Sequence, residues 1–192
     1  MSKYKELKDL ELLEKITKYD SRALEELFDR YSRILYTLVK KIAPNQETTD
    51  KILVDIFSII WQKAGKFNFE SGSVYTWLVT LARNKAIDVV RRSRSSQLKL
   101  ETYDDEYEDF FIVPTLSKDI DELDLETANR LGQKIETALA NLSDAQKYVI
   151  HLAYYEGYTM DQIADKLNIP LETVRLKVMT ALHLFRDDVV KG

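Results

Sequence analysis

The sequence predicts an all-α protein in two parts, and three observations carry that expectation. Apolar residues recur at i, i+3, i+4 and i+7 nearly throughout, except between residues 97 and 118. Five Gly and three Pro in 192 residues are too few for a turn-rich β architecture. Charge is partitioned along the chain. Residues 1–100 hold 19 Lys and Arg against 13 Asp and Glu, residues 101–128 hold one Lys against 11 acids, and residues 129–192 hold eight of each sign. A basic helical bundle is therefore expected at 1–96, an acidic linker at 97–120 and a neutral helical domain at 121–192. The 45% hydrophobic content is enough for a real core.

Composition also excludes classes of protein. Without Cys there is neither a disulfide framework nor a thiolate metal site. No apolar run approaches the ~20 residues that span a bilayer. The opening MSKYKELKDLELLEKI mixes acids among its leucines and lacks the apolar centre of a signal peptide. A soluble, cytoplasmic chain with no membrane insertion is expected. The basic N-terminal part points towards a polyanionic partner.

The elements follow in order. Residues 5–18 read as a short helix with Leu7, Leu10, Leu13 and Ile16 on one side. Asp20-Ser21 offers a cap for a long helix carrying Leu24, Leu27, Phe28, Tyr31, Ile34, Leu35, Leu38 and Ile42, which Pro44 ends. Thr48 or Thr49 is expected to cap the next, with the stripe Ile52, Leu53, Ile56, Phe57, Ile60 and Trp61, and Gly65 fits its stop. Each helix buries only a stripe, so these and the helix of residues 73–94 must pack together as a bundle.

The stretch SVYTWLVTLARNKAIDVVRRSR, residues 73–94, divides cleanly at 100° per residue. Val74, Trp77, Leu78, Leu81, Ala82, Ala86 and Val89 form an apolar stripe, and Thr76, Thr80, Arg83, Asn84, Asp88, Arg91 and Arg94 lie opposite. Ser73 is the expected N-cap. An aromatic loop, Phe67-Asn68-Phe69-Glu70-Ser71-Gly72, precedes it. Amide, hydroxyl and guanidinium groups beside aromatic rings suit contact with phosphates and unstacked bases. Phe67, Phe69 and Tyr75 are the candidate stacking rings, whereas Trp77 falls on the core stripe. The same residues also fit an ordinary amphipathic helix with a solvated face.

Past the linker, whose ETYDDEYEDFFIVP is acidic and aromatic, helix resumes at about 121–140 with Leu125, Ala128, Leu131, Ile135, Ala138 and Leu139 inward. Two capping boxes follow, Ser143 with Gln146 and Thr159 with Gln162. Tyr148, Val149, Leu152 and Ala153 form the stripe of the first helix, with His151 beside it as a structural side chain. Ile163, Ala164 and Leu167 mark the second. After Asn168-Ile169-Pro170, a last helix turns Val174, Val178, Ala181, Leu182 and Phe185 inward. The short helix, tight turn and longer helix make a helix-turn-helix, whose second helix reads base edges in the major groove. Its outward face carries Glu172, Arg175, Leu176, Met179, Thr180 and His183, with Thr173 and Lys177 on the flanks. Arg175 suits guanine, Glu172 suits cytosine, and Leu176 or Met179 suits a thymine methyl.

No nucleophile–base pattern, phosphate-binding glycine loop or metal-ligand spacing occurs, so no catalytic residue, metal or cofactor is expected. The chain is not expected to be an enzyme.

Both halves together resemble one family. DSRALEELFDRYSRILY, ILVDIFSIIWQKAGKF and YTWLVTLARNKAIDVVRR resemble the promoter-melting domain, region 2, of extracytoplasmic-function (ECF) sigma factors of bacterial RNA polymerase, relatives of the primary sigma factors. LSDAQKYVIHLAYYEGYTMDQIADKLNIPLETVRLKVMTAL resembles their C-terminal helix-turn-helix domain, region 4. The resemblance implies a sigma factor that binds core polymerase, recognises −10 and −35 promoter elements, melts DNA and starts transcription.

Site roles come with the resemblance. Asp50, Leu53, Val54, Asp55, Phe57 and Trp61 would dock on the polymerase β′ subunit, with β as a further contact. Val54-Asp55 stands where the family usually has a Gln–Glu pair. Phe67, Phe69, Ser71, Ser73, Tyr75, Arg83, Asn84, Asp88 and Arg91 would contact the −10 element. Glu172, Thr173, Arg175, Leu176, Lys177 and Thr180 would read the −35 element. The linker would thread towards the active site and RNA exit path. An anti-sigma factor is the implied further partner. Two alternatives stay open from the residues: a sigma-like decoy or adaptor, and a polymerase-independent helix-turn-helix regulator.

Overall fold

The structure is a computed structural model that describes residues 3–67, 69, 73–95 and 124–191. The acidic linker lies outside these residues. The chain divides into two compact units.

In the first unit a 3-10 turn, Lys3–Glu6, leads into α1 (Asp9–Ile16), α2 (Ser21–Ile42) and α3 (Gln46–Lys63). A second 3-10 turn, Ala64–Lys66, precedes α4 (Val74–Ser95). The centre is α2, which packs against α1, α3 and α4. It starts at the expected cap, where the Asp20 carboxylate accepts the backbone N–H groups of Arg22 and Ala23 at 3.0 and 3.3 Å. Leu27, Tyr31, Leu35 and Val39 form one i, i+4 ridge and are fully buried. Ile52, Ile56 and Ile60 of α3 and Leu78, Ala82 and Ala86 of α4 are buried with them. Each large aliphatic side chain buried this way contributes about 1.5–3 kcal/mol.

The N-terminal segment is held by charge. Arg30 donates to the carbonyls of Tyr4, Lys5 and Leu7 at 2.9–3.1 Å. It also pairs with Asp9 at 2.8 Å and Glu26 at 2.9 Å. Tyr31 donates its hydroxyl to the other Asp9 oxygen. Burial first, then that hydrogen bond, drives the Tyr31 phenol far above its ordinary pKa. Tyr4 donates to Asp20 at 2.8 Å, closing the arrangement over the start of α2.

Several expectations are corrected in this unit. The first stretch is not one helix over 5–18 but a 3-10 turn followed by α1, and Leu12 joins its core. Asn45 caps α3 by accepting the Thr48 N–H at 2.9 Å. Thr49 instead lies inside the helix and donates its hydroxyl back to Ala43 and Asn45 carbonyls. Phe28 is 43% exposed and covers Phe57, ring centroids 4.8 Å apart. Periodicity gives the centre of a stripe, and neighbours decide which edge is covered.

The second unit contains α5 (Leu125–Arg130), α6 (Gly132–Asn141), α7 (Asp144–Tyr154), α8 (Met160–Leu167) and α9 (Leu171–Lys191). The single helix expected over 121–140 is broken at Leu131. Both capping boxes form. Ser143 and Thr159 accept the N–H groups of Gln146 and Gln162 at 3.3 and 3.2 Å, and each Gln side chain accepts the cap N–H in return. Asn168 adopts the left-handed conformation, φ 50° and ψ 49°, that closes the turn after α8. Pro170 then leaves its carbonyl for the N–H groups of Thr173 and Val174. α9 packs against α6, α7 and α8. The core it shares with α7 and α8 is small: Val149, Leu152, Ile163, Ala164, Val174 and Val178. Tyr148, expected in the stripe of α7, is 48% exposed. His151 is a surface residue, 3.5 Å from Glu156, rather than part of the core.

Candidate nucleic-acid interface

Three surfaces carry the candidate residues: α4 with the preceding loop, the outer side of α3, and the outer side of α9. Among the described residues no group of three His, Asp or Glu side chains could hold a metal. No described helix is long and apolar enough to cross a membrane.

On α4 the cap is as expected, Ser73 Oγ accepting the Thr76 N–H at 3.2 Å. Phe67 is not presented as a free stacking ring. It is 7% exposed, with its ring edge-to-face against Phe69 at 5.1 Å and Trp77 at 5.5 Å. Phe69 is only partly buried, with its ring in that edge contact with Phe67. Ser71 lies outside the described residues. Tyr75 is partly buried, 6.5 Å from the Tyr31 ring, and burial raises its phenol pKa.

The polar face of α4 is narrower than the sequence suggested. Arg83 is 4% and Asp88 9% exposed, so neither stands on an open face. Arg83 donates to the side-chain oxygen of Asn84 at 3.2 Å. Asp88 binds Arg92 through both oxygens, at 3.0 and 3.2 Å. The reason is that α4 packs against both α2 and α3, which buries more than a single stripe. Ile87, 1% exposed, was the available signal: it shares the i, i+4 ridge of Arg83 and had no place in the expected stripe. Asn84 and Arg91 remain partly exposed, whereas nothing is described of the Arg94 side chain.

On α3, Asp50 and Val54 face outward, Val54 at 66% exposure. Asp50 accepts from the Gln46 amide at 3.0 and 3.2 Å. Leu53 and Trp61 are half-buried, and Trp61 meets Tyr19 edge-to-face at 5.5 Å. Phe57 is a core residue, 7% exposed, so it is not part of an open docking face. Asp55 pairs with Lys85 of α4 at 3.2 Å. That contact joins two of the three candidate surfaces, and helical periodicity has no means of pairing residues on different helices.

On α9 the expected orientation holds residue by residue. Val174, Val178 and Ala181 are buried, while Glu172, Arg175, Leu176, Met179, Thr180 and His183 are exposed. Thr173 and Lys177 are half-buried on the flanks. Arg175 pairs with Glu172 one turn before it, at 2.8 Å.

Comparison with known proteins follows this division. Residues 27–96 match the family described as Sigma-70 region 2, and residues 138–186 match Sigma-70, region 4. The ECF RNA polymerase sigma factor SigK of Mycobacterium sp. (strain JLS) is 28% identical over 172 residues, 90% of this chain and 86% of its own. The ECF RNA polymerase sigma factor RpoE of Cereibacter sphaeroides is 28% identical, over 88% of this chain and 87% of its own. A solved structure of Rhodobacter sphaeroides SigE in complex with the anti-sigma ChrR aligns over 93% of this chain and 96% of its own, at 25% identity and a TM-score of 0.47.

Proposed function

The chain belongs to the sigma-70 family and carries its regions 2 and 4 in the ECF arrangement; from that premise we propose how this sigma factor, a promoter-recognition subunit and not an enzyme, divides its work. Core RNA polymerase is held through the outer side of α3, by Asp50, Val54 and Trp61. The −10 strand is held by α4 and the loop before it. There Asn84 and Arg91 supply polar contacts, and Phe69 and Tyr75 supply rings worth about 1–3 kcal/mol per stacked base. Arg83 and Asp88 act from beneath, setting the geometry of Asn84 and Arg92. The −35 element lies against Glu172, Thr173, Arg175, Leu176, Lys177 and Thr180.

The observation that supports this reading best is the face of α9. Its helix-turn-helix geometry leaves one side uncovered within the unit, and that side carries base-reading side chains over three turns. Binding of promoter DNA by the second unit alone should be weak, because residues 129–192 bear no net charge to attract phosphates. Both contacts become strong once polymerase holds them together, since the second is then intramolecular. This puts the site of action in the cytoplasm. An anti-sigma factor covering the α3 surface belongs to the same proposal.

The test is transcription by purified bacterial core polymerase lacking sigma, supplied with this chain and a genomic DNA library. Transcript starts sharing two spaced upstream motifs are the expected result. Asn84→Ala with Arg91→Ala should abolish open complexes while the chain still co-migrates with polymerase. Co-migration of the wild type without defined starts would replace the proposal with a decoy. Neither starts nor a complex would replace it with an independent regulator.

A further inference from the structure

The outer face of α9 is apolar at its centre. Leu176 is 68% and Met179 64% exposed, and the two stand nearly one turn apart with the methyl-bearing Thr180 beside them. Exposed side chains of this size gain free energy only when something covers them. The nearest charges on this face are paired. Arg175 is tied to Glu172 at 2.8 Å, so that pair is neutral as a unit, and Lys177 is half-buried on the flank. A surface designed around phosphate attraction would carry unopposed cations here. Covering Leu176 and Met179 is the gain that the centre of this face has to offer a partner.

The major groove offers one kind of apolar group. Base edges there present nitrogen and oxygen donors and acceptors, except for the C5 methyl of thymine. Resting on the reading that α9 enters the groove, we infer that Leu176 and Met179 read thymine methyls, so the upstream element of this chain is A·T-rich where it faces the middle of α9. Glu172 holds Arg175 towards the start of the helix, where its remaining N–H groups can meet a guanine N7 and O6. The predicted element thus has a guanine at the edge reached by the first turn, followed by thymines.

The experiment uses the full chain with core polymerase on a promoter mapped from the genomic library. Thymines of the upstream element are replaced one at a time by deoxyuridine, which removes only the methyl. The wild type should lose about four-fold in promoter occupancy for each contacted methyl, the factor that corresponds to one buried carbon. Leu176→Ala should bind the thymine promoter more weakly, and deoxyuridine at the contacted position should then have no further effect. Leu176→Met, which keeps an apolar contact, should restore sensitivity to the methyl. Equal use of thymine and deoxyuridine promoters by the wild type, with initiation intact, would overturn the inference and leave the promoter reading standing. A Leu176→Ala defect of the same size on both templates would also overturn it and assign the face to a protein partner. If no defined starts arise at all, the promoter reading itself fails and the inference falls with it.

Discussion

Two helices of nearly equal length, α4 and α9, carry the two proposed promoter contacts, and they are built in opposite ways. α4 is gripped on two sides, by α2 and α3, and draws Arg83 and Asp88 into the interior with it. α9 is covered on one side and leaves Arg175, Leu176 and Met179 at the surface. A polar group set into a packed interior has its geometry fixed by its neighbours, as Arg83 fixes Asn84. A side chain on an open face is free to be exchanged. The difference teaches that a change at the buried residues of α4, Arg83 and Asp88 among them, alters stability and the proposed promoter contact together, whereas on the face of α9 the two are separable.

The largest effect expected tests the grip on α4. Leu78 is fully buried, so Leu78→Ala should lower the stability of the first unit by about 2–5 kcal/mol in urea unfolding. Promoter opening should fall with it. A variant that kept full stability would break the comparison. A smaller effect addresses the second unit, whose core is modest and whose helix starts are marked by capping boxes. Thr159→Ala removes one half of such a box and should cost about 1 kcal/mol in thermal unfolding. Acid titration sharpens the contrast at the N-terminus. The Tyr4 hydroxyl, helped by backbone N–H groups of α2, holds the Asp20 carboxyl below its ordinary pKa. A depressed carboxylate pKa adds stability that is complete above the unfolded value and is lost as pH falls through the folded one. Tyr4→Phe should therefore lower stability at neutral pH, where that contribution is complete, flatten part of the acid limb of a stability–pH curve, and change little below the folded value of the Asp20 carboxyl. The smallest effect is expected on the face of α9. Leu176→Ala and Met179→Ala should change stability by no more than about 0.5 kcal/mol, with promoter occupancy affected far more.

The architecture was legible because each helix states its own period and often its own ends. Asp20, Ser73, Ser143 and Thr159 cap helices as their positions suggested. The face of α9 was legible for the same reason, since one packed side leaves the opposite side open. The site on α4 was only half legible. A helical wheel assumes one buried side, and Arg83 and Asp88 are buried because α4 packs against two helices, α2 and α3, which the wheel does not include; Phe67 lies before the helix, outside any wheel. The Asp55–Lys85 pair lies on two helices, so no local pattern announces it. Asn45 displaced Thr48 and Thr49 as cap because several polar residues in a row make equally good candidates until the chain direction into the helix is known.

The Arg30 clamp has a consequence for how this sequence can vary. Its guanidinium holds Tyr4, Lys5 and Leu7 by their main-chain carbonyls. Carbonyls are common to every residue, so the clamp senses the path of the chain and not the identity of what lies on it. Drift at Lys5 or Leu7 leaves those bonds in place. Drift at position 30 does not, because a lysine ammonium lacks the planar fork that meets several acceptors and two carboxylates at once. Evolutionary constraint on the first residues is thereby transferred to a single position in the next long helix, and the N-terminal segment can diverge in sequence while keeping its place in the fold.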